Sequence, residues 1–286
     1  MSSDIRLAAI TDEFSQDLDQ ALDAMASLGI TGVELRTIDG RNIADIDDAG
    51  IDRIVERVTA RGMTIVSIAS PLLKCVLPDA PPLDTRFQQD AFASRHTYDD
   101  QPRLAERVFE IAERSNAPII RVFSYWRTVE PARCTDRVIE ALTWLTREAA
   151  QRGRRIGLEN EHACNVATAA ESAPVLAAID APAFGLIWDP ANAFVAGEVP
   201  YPDGYRLLPV DRIIHVHAKD CDVHGHTPTW GPLGEMSIDW VGQIGALRRD
   251  GYRGWISLET HWPGPGGDKL QASLICGRNL KRMVDA

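Results

Sequence analysis

Several features that would each mark a function class are missing from this sequence. No uninterrupted apolar run is long enough to span a bilayer, which takes about 20 residues as a helix. The opening Met1-Ser2-Ser3-Asp4-Ile5 has neither a charged leader nor an apolar core, so no signal peptide is expected. There are only five cysteines (Cys75, Cys134, Cys164, Cys221 and Cys276), scattered and without C-x-x-C spacing. That argues against disulfides and a thiolate zinc site, and suits reduced thiols in a cytoplasm. Basic residues are in deficit: 30 Lys and Arg against 41 Asp and Glu give a formal net charge of −11. Binding nucleic acid through phosphates needs Lys and Arg, so such a partner is not expected. No glycine-rich phosphate loop follows a strand, and no low-complexity tract or linker divides the chain. One domain over residues 1–286 is therefore expected.

What is present is a repeated strand–helix rhythm. Short apolar strands are expected at Arg6–Ile10, Gly32–Arg36, Met63–Ile68, Ile119–Phe123, Arg155–Glu159, Phe184–Asp189, Asp211–Asp220 and Trp255–Glu259. Helical spacing of apolar residues falls between them, from Leu18 to Leu28, around Ile51–Val58, Leu104–Ala112 and Val138–Leu145, then at Ala169–Ile179, Ile238–Leu247 and Leu270–Val284. Irregular helical material follows the sixth strand. Eight such units without hairpin signals predict a single α/β (β/α)8 barrel. The rhythm pauses from Ser70 to Asp100, a proline-bearing stretch read as either a lid or a surface excursion with a short helix near Phe87–Phe92. Trp126 and Trp262 are read as exposed.

Barrels of this kind place their chemistry at the C-terminal strand ends. Side chains alternate faces along a strand. In the seventh strand this puts Ile213, His215, His217 and Lys219 on one face and Ile214, Val216 and Ala218 on the other. The same rule turns Glu159, Asp189 and Glu259 inward at the ends of strands five, six and eight. Three converging carboxylates repel one another unless a cation joins them. With His217 they make a ligand set for one divalent ion: manganese first, with magnesium, cobalt, iron or zinc as alternatives. Around them, Asn192, Lys219, Arg121, His261 and Glu34 are candidate substrate contacts. Arg121 either pairs with an inward acid such as Glu34 or faces substrate. Lys219 either meets substrate or pairs with Asp220 or Asp222. His215 is read as a buried neighbour of His217, and His224 and His226 as exposed.

The segments Leu158-Glu159-Asn160, Trp188-Asp189-Pro190-Ala191-Asn192, His215-Val216-His217-Ala218-Lys219-Asp220 and Leu258-Glu259-Thr260-His261 resemble the xylose-isomerase-like sugar phosphate isomerase/epimerase superfamily. Ile10-Thr11-Asp12-Glu13-Phe14, Gly32-Val33-Glu34-Leu35-Arg36 and Pro232-Leu233-Gly234-Glu235 extend the likeness over nearly the whole chain. The resemblance implies one divalent ion on Glu159, Asp189, His217 and Glu259, with Glu159 and Glu259 also the acid/base pair. It implies isomerisation or epimerisation of a keto-sugar, keto-polyol or keto-glycoside through an enediolate. A lyase or dehydratase using the same site is the alternative. Ketose 3-epimerases of this group carry His where this chain has Asn192. They also carry Glu and Arg near the positions of Asn165 and Val223. The DNA-repair branch of the superfamily uses additional histidines; here the third strand ends in Ser67-Ile68-Ala69-Ser70. A non-catalytic sugar sensor is the remaining class, and it does not require the acid/base glutamates. The expected partner is a small carbohydrate, with homo-oligomerisation left open.

Overall fold

The strand alternation closes on itself. The computed structural model describes residues 5–87 and 95–286, and the expected helix near Phe87–Phe92 lies almost wholly outside them. Eight parallel strands form the barrel: β1 (Arg6–Ile10), β2 (Gly32–Leu35), β3 (Thr64–Ile68), β4 (Ile119–Val122), β5 (Arg155–Glu159), β6 (Phe184–Trp188), β7 (Ile213–Ala218) and β8 (Trp255–Leu258). Each pairs with its sequence neighbours, and β8 returns to β1. The helices are α1 (Leu18–Ser27), α2 (Asp48–Thr59), α3 (Gln101–Arg114), α4 (Thr135–Gln151), α5 (Ala169–Ala178), α6 (Pro190–Val195), α7 (Trp240–Arg249) and α8 (Lys269–Asp285). The protein is a single (β/α)8 barrel. Among the described residues no helix is long and apolar enough to cross a membrane.

The main core lies between strands and helices. Alternate strand residues such as Leu7, Val33, Ile65, Ile120, Ile156, Leu186, Val216 and Ile256 meet helix residues such as Leu22, Ile51, Val108, Leu142 and Ile244 there. Inside the barrel, Ile119, Ile187 and Ile214 form a separate apolar floor. Two glycines make room for it. A Cβ on Gly157 would lie 2.7 Å from Ile187 Cγ1, and one on Gly185 would lie 2.3 Å from Ile214 Cγ2.

The floor corrects one strand assignment. Strict alternation puts Ile213 inward and Ile214 outward, but Ile213 joins the helix-facing core and Ile214 the interior. The cause is a register shift between β6 and β7: Leu186 pairs with Ile213 and Ile187 with His215. The extra residue at Ile214 is a bulge, and a bulge re-aims the side chains that follow it.

Two short antiparallel hairpins, absent from the sequence reading, decorate the mouth. One pairs Thr37–Ile38 with Arg41–Asn42, and the other Asp220–His224 with Thr227–Gly231. The second is pinned by Asp220, whose carboxylate accepts the backbone N–H groups of Cys221, Gly234, Met236 and Ile238 at 2.8–3.3 Å. Asp220 is therefore not the partner of Lys219. Nor is the whole stretch after β3 a surface excursion. Leu72, Leu73 and Cys75 accept backbone hydrogen bonds from Phe123, Tyr125 and Trp126, and Trp126 is buried. Trp262 is half-buried.

Candidate metal centre

Four strand ends deliver the expected ligand set to one point. Ligand atoms of Glu159, Asp189, His217 and Glu259 lie within 4.8 Å of one another, and all four residues are buried. The chain positions each with a local device. Asp189 ends β6 and N-caps α6: its Oδ1 accepts the Asn192 N–H at 2.9 Å, with Pro190 in the first turn. Asn160 ties the ends of β5 and β6 together, accepting the Asp189 N–H and donating to the Asp189 carbonyl, both at 2.8 Å.

His217 is oriented from both sides. Its Nδ1 lies 3.0 Å from Glu159 Oε1 and 3.5 Å from Glu259 Oε2, while its Nε2 lies 3.2 Å from Glu34 Oε1. Glu34 also takes His215 Nε2 at 2.7 Å and is fully buried. A carboxylate on the far nitrogen of a metal-binding imidazole fixes its tautomer and raises its basicity. Burial by itself lowers the pKa of His217, but Glu159 and Glu34 outweigh it and hold it well above the usual histidine range. Burial raises Glu34, and the two histidines outweigh it in the other direction.

Cations surround the acids. Lys219 Nζ sits 2.7 Å from Asp189 Oδ2 and 2.6 Å from Glu259 Oε2. Arg36 donates to Glu259 Oε1 at 2.9 Å, to Asp12 Oδ2 at 2.8 Å and to Glu13 Oε1 at 2.5 Å. Arg121 pairs with Glu159 Oε2 at 3.2 Å, not with Glu34. Burial favours neutral Lys219, but Asp189 and Glu259 prevail and keep it charged. Burial likewise raises Glu259, and Lys219, His261 and His217 pull it well below the carboxylate range. At Asp189 burial wins, with Glu259 and Glu159 adding to it against Lys219, and its pKa is raised.

A divalent ion fits this set on three observations. The donors are carboxylate oxygens and one imidazole, with no thiolate. Glu159 Oε2 and Asp189 Oδ2 are buried and accept no hydrogen bond, although ion-pair partners lie nearby. Histidines apart, seven clustered acids (Asp12, Glu13, Glu34, Glu159, Glu161, Asp189, Glu259) face five Lys and Arg side chains (Arg36, Lys74, Arg121, Lys219, Lys269) among the described residues. That excess of carboxylates favours a bound cation.

The other expected residues are also nearby. Asn192 Nδ2 is 3.4 Å from Glu159 Oε1, and His261 Nε2 is 3.3 Å from Glu259 Oε1. The left-handed backbone of His261, at φ 51°, turns its ring back over the site, edge-on to Trp230 at 4.9 Å. Sequence reasoning missed a polar row on the opposite side. His162 Nδ1 lies 2.8 Å from Asn192 Oδ1 and 2.9 Å from Glu161 Oε1, and Lys74 Nζ is 3.7 Å from Glu161 Oε2. A signal was present in Glu159-Asn160-Glu161-His162, four polar residues following a strand. Lys74 had none, because it lies in the aperiodic stretch after β3. Above this row, Phe87 packs against His162 and His226, which is partly buried rather than exposed.

A closed eight-stranded barrel with an acidic, histidine-bearing centre at its C-terminal mouth defines a class of (β/α)8 proteins able to hold a cation. Within that class, the model of xylose isomerase-like TIM barrels matches residues 22–280, and the chain belongs to that family. No curated protein matches the sequence. Solved structures share the fold at low identity. A zinc-bound IOLI protein superposes with TM-score 0.77 at 15% identity, covering 98% of each chain. A D-tagatose 3-epimerase-like protein gives 0.69 at 17%, again over 98% of each. A xylose isomerase-like/4-hydroxyphenylpyruvate dioxygenase fusion protein gives 0.71 at 20%, covering 98% of this chain, which spans only 42% of that one.

Proposed function

We propose that the protein is a divalent-metal-dependent isomerase or epimerase of a keto-sugar, keto-polyol or keto-glycoside. The observation that carries this reading is the convergence of Glu159, Asp189, His217 and Glu259 on one buried point at the barrel mouth. These four residues would hold the ion, manganese first. The zinc bound in the IOLI structure, which shares this fold, supports a metal-dependent reading and leaves the ion's identity to titration. When bound, the ion supplies Lewis-acid polarisation of a carbonyl, worth several kcal/mol of charge stabilisation.

The remaining work falls to the chain's own side chains. Glu159 ends β5 and Glu259 follows β8, with His217 of β7 near both carboxyl groups. One removes the proton alpha to the carbonyl, leaving an enediolate, and the other returns a proton. General acid–base catalysis of this kind contributes about 10²–10⁴-fold. Arg121 holds Glu159, and Arg36 and Lys219 hold Glu259, so both carboxyl groups are aimed at the site. Glu34 acts on the His217 ring instead of substrate. Asn192, Lys219, Arg121 and His261 border the space where substrate hydroxyls would lie.

A lyase reading has one observation in its favour. His162 is raised above the usual histidine range: burial lowers it, but Glu161 and Asn192 outweigh that. A charged imidazole beside the acid/base pair can protonate a departing hydroxyl. Five buried, unpaired cysteines support a reducing, cytoplasmic setting.

The test is exchange of the substrate's alpha proton in deuterated water, followed by NMR. Metal-loaded wild type should exchange it, and Glu159→Gln and Glu259→Gln should each abolish exchange. Full exchange in either variant refutes the assigned roles. Product mass separates isomerisation from elimination, which loses water.

A further inference from the structure

We infer that the substrate is an uncharged polyhydroxy ketone, carrying neither phosphate nor carboxylate. This deepens the proposed reaction and rests on it. Among the described residues, each buried Lys and Arg at the barrel mouth lies against an acid of this chain. Arg36 holds three acids, Lys219 two, Arg121 holds Glu159, and Lys74 lies beside Glu161. The partly exposed Lys269 is 3.1 Å from Glu13. A phosphate on Lys219 would meet an ammonium flanked by two of the metal ligands, and one seated on Arg36, Arg121 or Lys74 would have to take the cation from its carboxylate. The acid left behind would be buried and unpaired, which is costly.

The clustered carboxylates outnumber the Lys and Arg side chains among them, seven to five. A dianionic group would add to that excess in a buried setting, where such charges are poorly screened. The sequence between Phe87 and Arg95 adds no Lys, Arg or His. Arg95 itself lines a separate hollow with Cys75, His96 and Tyr98.

The walls offer paired polar groups instead. Lys74, Glu161, His162, Asn192 and Glu159 form a continuous row of alternating donors and acceptors. Paired groups of this kind bond hydroxyls without requiring charge on the ligand. Aromatic rings stand nearby: Phe87 lies 6.3 Å from the His162 ring, and Trp230 is edge-on to His261 with Lys219 5.7 Å from its own ring. Such surfaces suit the C–H faces of a sugar or cyclic polyol.

The test compares matched pairs on the metal-loaded full chain: D-fructose, D-tagatose and D-psicose against their 1- and 6-phosphates. Alpha-proton exchange gives kcat/KM, and glycerol 3-phosphate is added separately in thermal melts. The expected result is a preference of at least about tenfold for a free ketose over its phosphate ester, more than 1.4 kcal/mol. Glycerol 3-phosphate should leave the melting temperature unchanged. Glu161→Gln, which releases Lys74, should narrow that preference. A wild type that prefers a phosphate ester overturns the inference. Should no ketose of either kind exchange its proton, the proposed reaction fails, and the charge argument is judged on glycerol 3-phosphate alone. Stabilisation by it then overturns the inference, and no stabilisation supports it.

Discussion

Replacing Lys219 with methionine should expose how the centre balances its charge. The ammonium is 1% exposed and lies 2.7 Å from Asp189 Oδ2 and 2.6 Å from Glu259 Oε2. Methionine has nearly the same length, so the main loss is the charge. Breaking a buried pair by removing one partner costs about 3–5 kcal/mol, because the other partner is left uncompensated. Metal-free Lys219→Met should therefore lose roughly that much stability in urea titration with EDTA present. A divalent ion can take over the neutralisation. At a hundred times its Kd it adds about 2.7 kcal/mol to any native state that binds it. The variant should gain more from Mn²⁺ than wild type does, because no ammonium competes for the same two oxygens. The assay is a pair of urea curves for each protein, with EDTA and with excess Mn²⁺. A metal-free loss below about 1 kcal/mol, the range of an exposed ion pair, would refute the claim that Lys219 is the resident counter-charge.

Three further outcomes follow from other parts of the structure. Burial raises the Glu13 carboxyl, but Arg36, His261 and Lys269 outweigh it and hold its pKa at about 2 against 4.5 in an unfolded chain. Its contribution, roughly 3 kcal/mol, is thus present above pH 4.5 and lost as pH falls from there toward 2. The stability gap between wild type and Glu13→Gln should close over that window, and a gap independent of pH contradicts the assignment. Gly185→Ala puts a Cβ 2.3 Å from Ile214 Cγ2 and 2.8 Å from the Arg212 carbonyl. The backbone contact cannot yield, so a loss of about 1–3 kcal/mol is expected, part of it recovered by Ile214→Val; an unchanged urea midpoint counts against the packed floor. Asp220→Ala strips four backbone N–H groups of their acceptor. It should cost about 3 kcal/mol or more and increase proteolysis between Asp220 and Ile238, whereas a fully protected segment would show that the carboxylate does not pin it.

How far the molecule could be read beforehand depended on periodicity. The eight strands and their helices are local patterns, and their expected spans fall within a few residues of those observed. Alternation also turned Glu159, Asp189 and Glu259 inward, because those strands are regular up to their ends. It failed at Ile213 and Ile214, where a bulge set by pairing with β6 shifts the parity. No property of one strand alone reveals such a shift. The partners of Arg121, Lys219 and Glu34 were open for a similar reason: they come from other strands, and only barrel closure decides which acid each meets. Lys74 and the Asp220–Gly231 hairpin were out of reach because they belong to aperiodic segments. Their positions come from long-range contacts, Lys74 under Phe123 and Trp126 and the hairpin on the Asp220 carboxylate.

The most direct test of the central claim is calorimetric titration of the metal-stripped full chain with Mn²⁺. One ion should bind per chain, with protons released on binding, because Glu159 and Glu34 hold His217 above the usual histidine range and the ion needs it neutral. Asp189→Asn and His217→Leu should each weaken that binding by about a hundredfold or more. Unchanged affinity in both variants, or no binding by the wild type, would contradict a metal centre on Glu159, Asp189, His217 and Glu259.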